Sequence, residues 1–226
     1  MKNIFLCGYR DWSYNLYKLL ETYSHLDFKN KNLIYVSDKD KLDSMVNEHN
    51  PEIIFFIGWS WIVKKEIIDN YKCICMHPSP LPKYRGGSPL QHQIINGESD
   101  SAVTLFKMDN GIDTGDILFQ KKISLEGNLS DIFIRIINVG CIGIRKIVKG
   151  DYKSIKQNLD EGSFFKRRTI EMSEITQDDI KKYTAKQLHN KIRALQNPYP
   201  NAFIKCKDGT KLFLEHTNLG DKSETN

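Results

Sequence analysis

No stretch of this chain approaches the run of about 20 apolar residues that a membrane-crossing helix needs. The apolar opening, Ile4 to Cys7, is also too brief for an export signal, so the expected compartment is the cytoplasm, with no membrane partner. Charge of one sign is never concentrated. The 33 Lys and Arg and 28 Asp and Glu are interspersed, apart from short runs such as Lys166-Arg167-Arg168. A net charge of +5 favours an anionic small molecule, whereas nucleic-acid binding calls for clustered cations, so no nucleic-acid partner is expected. Cysteine is scarce and odd in number: Cys7, Cys73, Cys75, Cys141 and Cys206. Without an export signal they read as buried thiols, not a disulfide framework. Internal repeats are absent, and no Gly-x-Gly-x-x-Gly follows the first apolar run, where Gly8-Tyr9-Arg10-Asp11-Trp12 stands instead. That excludes the usual dinucleotide fingerprint. With 226 residues, 40% of them hydrophobic, the chain suits one principal domain and a small appendage.

What is present alternates. Ile4–Gly8, Leu33–Val36, Ile53–Gly58 and Cys73–His77 read as short strands. Helical stretches lie between them: one carrying Trp12, Leu16, Leu19 and Leu20 behind a cap at Asp11 or Ser13, one from about Lys39 to Glu48 stopped by Pro51, and Lys64–Asn70. This alternation predicts an α/β fold, a Rossmann-like core with a mainly parallel sheet. Ser101–Lys107 and Ile117–Lys122 read as two further strands about the turn Met108–Asp116. Ile132–Val148 is a long apolar helix capped by Ser130 and ending near Gly150. We expect the core to span residues 1–172. Residues 173–226 form a short extension with a helix over Thr184–Leu195 and a hairpin around Asp208-Gly209. Asp221–Asn226 is polar and expected to fray.

Pro78-Ser79-Pro80-Leu81-Pro82-Lys83-Tyr84-Arg85-Gly86-Gly87-Ser88-Pro89 can continue neither a strand nor a helix. It must be a shaped loop leaving the carboxyl end of a strand, where ligands bind in open α/β sheets. His77 opens it, and Asp113 lies in the carboxylate- and glycine-rich turn 36 residues later. Such a pair can remove a proton and stabilise a developing oxyanion, with the carboxylate fixing the imidazole tautomer. On spacing alone, a His that caps its strand and an Asp that supports its turn fit equally well. Cys73, Cys75 and His77 share one strand face, but the second ligand pair of a zinc site is missing, so no metal is expected.

The run from His77 to Pro89, followed by Val103-Thr-Leu-Phe-Lys-Met-Asp-Asn-Gly-Ile-Asp-Thr-Gly-Asp116, resembles the folate-dependent formyltransferase family. That family includes methionyl-tRNA formyltransferase, glycinamide ribonucleotide transformylase and the sugar-nucleotide N-formyltransferases. Its signature is Asn-x-His-Pro-Ser-Leu-Leu-Pro with a later Asp-x-Gly-x-Asp-Thr-Gly, and the likeness runs from the first strand to about Cys206. It implies N10-formyltetrahydrofolate as co-substrate and an Asn/His/Asp triad, with His77 and Asp113 in two of the places. Cys75 stands in the Asn position. A thiol is a weak donor. Either backbone N–H groups and His77 hold the oxyanion alone, or another side chain such as Gln91 substitutes, or the protein is catalytically impaired; His77, Asp113 and their intact loops favour the first two. The resemblance places the folate against Trp59, Ser60 and Trp61 and against the turn carrying Asp109 and Gly111. It also sets a cis peptide at Leu81-Pro82.

The tail resembles that of enzymes acting on dTDP- or UDP-linked amino sugars, above all those forming dTDP-4-formamido-4,6-dideoxyglucose for surface polysaccharide such as O-antigen. Only 76 residues follow Gly150, whereas methionyl-tRNA formyltransferase carries a further domain that grips tRNA. Arg10, Lys83, Tyr84 and Arg85 are the expected phosphate and acceptor contacts, with Asn197 and Tyr199 lining the acceptor site. The hairpin is expected to mediate a homodimer.

Overall fold

The computed structural model describes residues 2–220, so the expectation for Asp221–Asn226 lies outside the described residues. Six strands form the central sheet: β1 (Lys2–Cys7), β2 (Lys31–Val36), β3 (Ile53–Ile57), β4 (Lys72–His77), β5 (Asp100–Lys107) and β6 (Ile117–Ser124), in the order β2-β1-β3-β4-β5-β6. The first four pair in parallel, and β3 at their centre is buried throughout, as helices on both faces of the sheet require. β5 runs antiparallel to both β4 and β6. The short turn before β6 forces that second reversal, since a parallel return needs a long crossover.

The two faces of the sheet sort by alternation. Ile4, Leu6, Phe55, Ile57, Ile74 and Met76 face α1 (Asp11–Thr22) and the long helix Leu129–Lys149. Phe5, Cys7, Ile54, Phe56 and Cys73 face α2 (Leu42–His49) and α3 (Lys65–Asn70). A fourth helix, α4 (Pro89–Ile95), starts on a proline at the end of the Pro/Gly loop and buries Leu90 and Ile94. We label the long helix α5. Within it the apolar residues at helical spacing reach from Leu129 to Val148. Asp27, whose carboxylate is enclosed, pairs with Arg145 and Lys149 and so ties the start of the chain to α5.

Three local expectations are corrected. α5 begins at Leu129 and is capped by Asn128, not Ser130: Asn128 and Asp131 satisfy each other's backbone N–H groups in a capping box. α1 carries no side-chain cap, because Ser13 turns back to donate to the Arg10 carbonyl at 2.6 Å. The stretch from Lys39 starts as a tight 3₁₀ turn, Lys39–Lys41, before α2.

Beyond residue 172 a smaller apolar cluster of Ile175, Ile192, Leu195 and Ala202 gathers around α6 (Ala185–Arg193), capped by Thr184, and the hairpin β7 (Ala202–Lys205) and β8 (Lys211–Leu214). Arg193 sutures this extension to the core by donating to the carbonyls of Leu125 and Gly127 at 2.6 and 3.0 Å. No described helix is long and apolar enough to cross a membrane.

Burial pushes the Cys73 thiol to about 12, the Cys141 thiol to about 11 and the Tyr199 hydroxyl to about 12. Each is raised, so the folded state holds these protons more tightly than the unfolded chain. Stability is therefore full below the unfolded thiol value of about 8.5 and falls as pH climbs towards 11 and 12. Thermal unfolding at pH 8 and pH 10 checks this; an unchanged midpoint would contradict it.

Candidate active site

The Pro/Gly loop has few backbone partners of its own, so side chains from several elements hold it. Gln93 of α4 donates to the carbonyls of Pro78 and Pro89 at 2.8 and 3.0 Å, and its own oxygen accepts from Ser101 at 2.5 Å. Thr104 donates to the Ser79 carbonyl at 2.6 Å, and Gln120 to the Leu81 carbonyl at 3.0 Å. Arg85 and Gly86 form a short parallel pairing with Phe164 and Phe165. Leu81-Pro82 is cis. None of these braces carries a sequence signal of its own.

His77 ends β4 buried beneath this loop, only 6% exposed. Its Nε2 lies 2.8 Å from the Tyr84 carbonyl, and its Nδ1 lies 3.5 Å from Oδ2 of Asp113. A carbonyl only accepts, so Nε2 carries the hydrogen and the neutral ring has its lone pair on Nδ1, towards Asp113. The tautomer is thus fixed by the Tyr84 carbonyl, where the sequence pointed to the carboxylate. At 3.5 Å the Nδ1 contact is longer than a hydrogen bond, which leaves this nitrogen available to a proton.

Asp113 sits in the β5–β6 turn with φ 57°, a left-handed conformation that a non-glycine residue holds only under constraint. Oδ2 accepts from the Gly86 N–H at 2.8 Å, so the carboxylate joins the turn to the Pro/Gly loop. That N–H is therefore already engaged. Asp109, exposed on the same turn, accepts from Gly111 N–H at 3.0 Å and from the Thr114 hydroxyl at 2.7 Å. Gly111 is the residue that leaves room for Thr114.

Cys75 lies two residues before His77 on the same face of β4, at the edge of the apolar cluster that includes Phe56 and Cys73. Burial first, and the Asp113 charge second, push its thiol well above the ordinary range. It stays protonated at neutral pH, so it is a poor nucleophile. Cys75→Ala is expected to change turnover by less than about tenfold, whereas loss of a covalent nucleophile would cost several powers of ten. Steady-state kinetics decide between them. Gln91 is buried on α4.

At the carboxyl ends of β1 and β3 an aromatic wall forms. Gly58, with φ 62°, lies so close under Trp12 that any Cβ would strike the indole. Trp59 and Trp61 meet edge to face at 4.9 Å between ring centroids, and Tyr9 lies 4.5 Å from Trp61. Ser60 shares a 2.7 Å hydrogen bond with the Tyr9 hydroxyl. The indole N–H of Trp59 is buried and finds no hydrogen-bond partner among the described residues.

The remaining expected contacts divide. Arg10 lies over the Tyr9 ring and donates to the Pro198 carbonyl at 3.4 Å, which brings Asn197 and Tyr199 to the same end of the sheet. Asn197 is exposed there, while the Tyr199 ring comes within 6.2 Å of Phe133. Lys83 is exposed at the loop tip, and Arg85 is half-buried with its Nε lacking a partner. Tyr84 departs from the expectation. Its ring is buried against Phe165 and its hydroxyl donates to Glu98 at 2.7 Å, so it offers the site its carbonyl and not its side chain.

A His–Asp pair, with His77 at the end of β4 and Asp113 in the β5–β6 turn, thus meets at the carboxyl edge of the parallel strands. The family model described as formyl transferase matches residues 17–131, and the chain belongs to that family. The methionyl-tRNA formyltransferase of Rickettsia canadensis is 35% identical over 182 residues, covering 78% of this chain and 58% of that protein. The chain thus spans little more than half the length of such curated relatives. Among solved structures, methionyl-tRNA formyltransferase from Clostridium thermocellum superposes with a TM-score of 0.81 at 32% identity, covering 94% of this chain and 97% of that one. A sugar N-formyltransferase from Shewanella sp. FDAARGOS_354 gives 0.78 at 19% identity over 98% and 100%, a likeness of fold.

Proposed function

We infer that the protein transfers the formyl group of N10-formyltetrahydrofolate to the amine of a nucleotide-linked amino sugar. The sugar we assign is dTDP-4-amino-4,6-dideoxyglucose, made in the cytoplasm for surface polysaccharide. The observation that carries the transfer chemistry is the His77–Asp113 pair, held by two loops that both match the family signature.

The residues present suit a folate. Trp59 offers an orphan indole donor beside an aromatic wall with Trp61 and Tyr9, as a flat heteroaromatic group requires. When bound, the folate supplies an activated formyl carbon. Nδ1 of His77 takes the proton that the amine loses as it bonds to that carbon, and Asp113 stabilises the imidazolium. As the old carbon–nitrogen bond breaks, the same proton passes to the departing nitrogen. On the acceptor side, Arg10 stands between Tyr9 and Pro198, close to Asn197 and Tyr199, where a cation suits a pyrophosphate. Lys83 and Arg85 border the same loops.

A second acceptor is favoured by one observation: the curated relatives are named methionyl-tRNA formyltransferase. Incubation with the folate donor and either the dTDP-sugar or methionyl-tRNA, followed by mass spectrometry, separates the readings. A formylated sugar supports ours. Formylated methionyl-tRNA alone replaces the acceptor, and no product with either removes the activity. The hairpin leaves Leu212 and Phe213 56% and 57% exposed, which suits burial against a second copy. A monomer in sedimentation at assay concentration would exclude that homodimer.

A further inference from the structure

The turn that carries Asp113 is braced from within only at Asp109, which accepts from Gly111 and Thr114. Asn110, Gly111 and Ile112 are exposed, and Asp113 lies in the left-handed region, which a residue with a Cβ adopts less readily than glycine. The segment after α5 packs against this turn. There Ile155 and Ile117 exchange backbone hydrogen bonds of 2.8 and 2.9 Å, and Ser154 donates to the Asp116 carboxylate at 2.9 Å. Two residues further on, Gln157 places one nitrogen between two carbonyls. Nε2 donates to Asp113 O at 3.0 Å and to Gly115 O at 2.7 Å.

We propose that Gln157 is a positioning residue that clamps the left-handed turn and thereby aims the Asp113 carboxylate at Nδ1 of His77. The chemistry of the side chain is specific to the task. A primary amide carries two hydrogens on one nitrogen, so a single group bridges two carbonyls that lie two residues apart. Asn is one methylene shorter and does not reach both. Glu lacks the donor and would set a carboxylate against two carbonyl oxygens, all the more unfavourably because Oε1 of Gln157 is already buried without a partner. Among the described residues no other side chain donates to the carbonyls of Asp113 or Gly115. With the clamp gone, Asp113 keeps only its side-chain contacts to Gly86 and His77.

Among the described residues no hydrogen bond joins Gln157 to His77, so its effect reaches the pair through Asp113. This proposal rests on the assignment of His77 and Asp113 to formyl transfer, and its test separates the two. In Gln157→Met, which keeps the length and bulk of the side chain and removes the donor, kcat is expected to fall about tenfold to a hundredfold, with the donor KM little changed. Gln157→Glu falls at least as far. Ser154→Ala, which loses the neighbouring bond to Asp116 from the same segment, is expected to retain kcat within about twofold.

The second readout needs no turnover. Imidazole ¹⁵N signals of His77, assigned by their loss in His77→Asn, are expected to move in Gln157→Met in the direction that they move in Asp113→Asn. Unmoved His77 signals in a folded Gln157→Met protein would overturn the clamp, and so would equal kcat losses in Gln157→Met and Ser154→Ala. If the wild-type protein transfers no formyl group while the signals move as expected, the clamp stands and the assigned reaction falls.

Discussion

Replacing His77 with Asn is expected to lower kcat by about 10²–10⁴, the range over which a positioned acid–base group acts. The reason lies in the two ends of the ring. Nε2 is held at the Tyr84 carbonyl, which leaves Nδ1 as the basic atom facing Asp113. An Asn can keep a donor near the Tyr84 carbonyl, but no atom of its side chain accepts and returns a proton at neutral pH. The KM for the folate donor should stay close to that of wild type, since the ring acts in the transition state and not in binding. Asp113→Asn should lose less. Its amide oxygen can still accept from Gly86 N–H, and what disappears is the charge that stabilises the imidazolium. Steady-state kinetics on the pair settle the point: wild-type turnover in His77→Asn would remove the histidine from the chemistry.

Gly115→Ala is expected to destabilise the fold by about 2–4 kcal/mol, read from urea or thermal unfolding. A Cβ built at Gly115 would stand 1.7 Å from the carbonyl oxygen of Lys107. That oxygen cannot retreat easily. Lys107 is the last residue of β5, opposite Ile74 of β4, and its own N–H donates to the Asp116 carbonyl at 2.9 Å. The strand and the turn must therefore part, and Asp113 moves with the turn. Activity should fall together with stability. Gly209→Ala makes the control, because that glycine has φ 83° with open space around it. Its cost is one of dihedral strain alone, on the order of 1 kcal/mol. Equal effects at the two positions would show that contact with Lys107 is not what requires Gly115.

Much of this was legible in the sequence because period and punctuation are local. β1 to β4 announce themselves as short buried runs, and the Pro/Gly loop announces itself by what it cannot be. The expectation for His77 and Asp113 rests on two long motifs whose residues sit next to each other in the chain, and the fold sets the two side chains 3.5 Å apart. Direction was harder to read: nothing within Ser101–Lys107 distinguishes a parallel strand from an antiparallel one, and only the pairing with β4 decides it. The Ser130 cap misled because Asn128 also caps, and the Asp131 that completes its box lies beyond both. Gln157 and Gln93 were invisible for a different reason. They serve backbone groups 44 and 15 residues away, through hydrogen bonds that depend on the folded path of the chain. Tyr84 was misjudged in kind, since a loop tyrosine beside basic residues suggests a ligand contact and not a ring buried against Phe165.

The hydrogen bond from Arg10 to Pro198 spans 188 positions. During synthesis, His77, Asp113 and the whole six-stranded sheet leave the ribosome well before Pro198 does. A nascent chain halted near residue 172 would hold His77 and Asp113 without Asn197 and Tyr199. Closing so long a loop comes late in folding, because its entropy must be overcome before the contact rewards it. The order of translation thus withholds the Arg10–Pro198 contact until the tail has wrapped back, so the segment 197–199 is the last to join this end of the sheet.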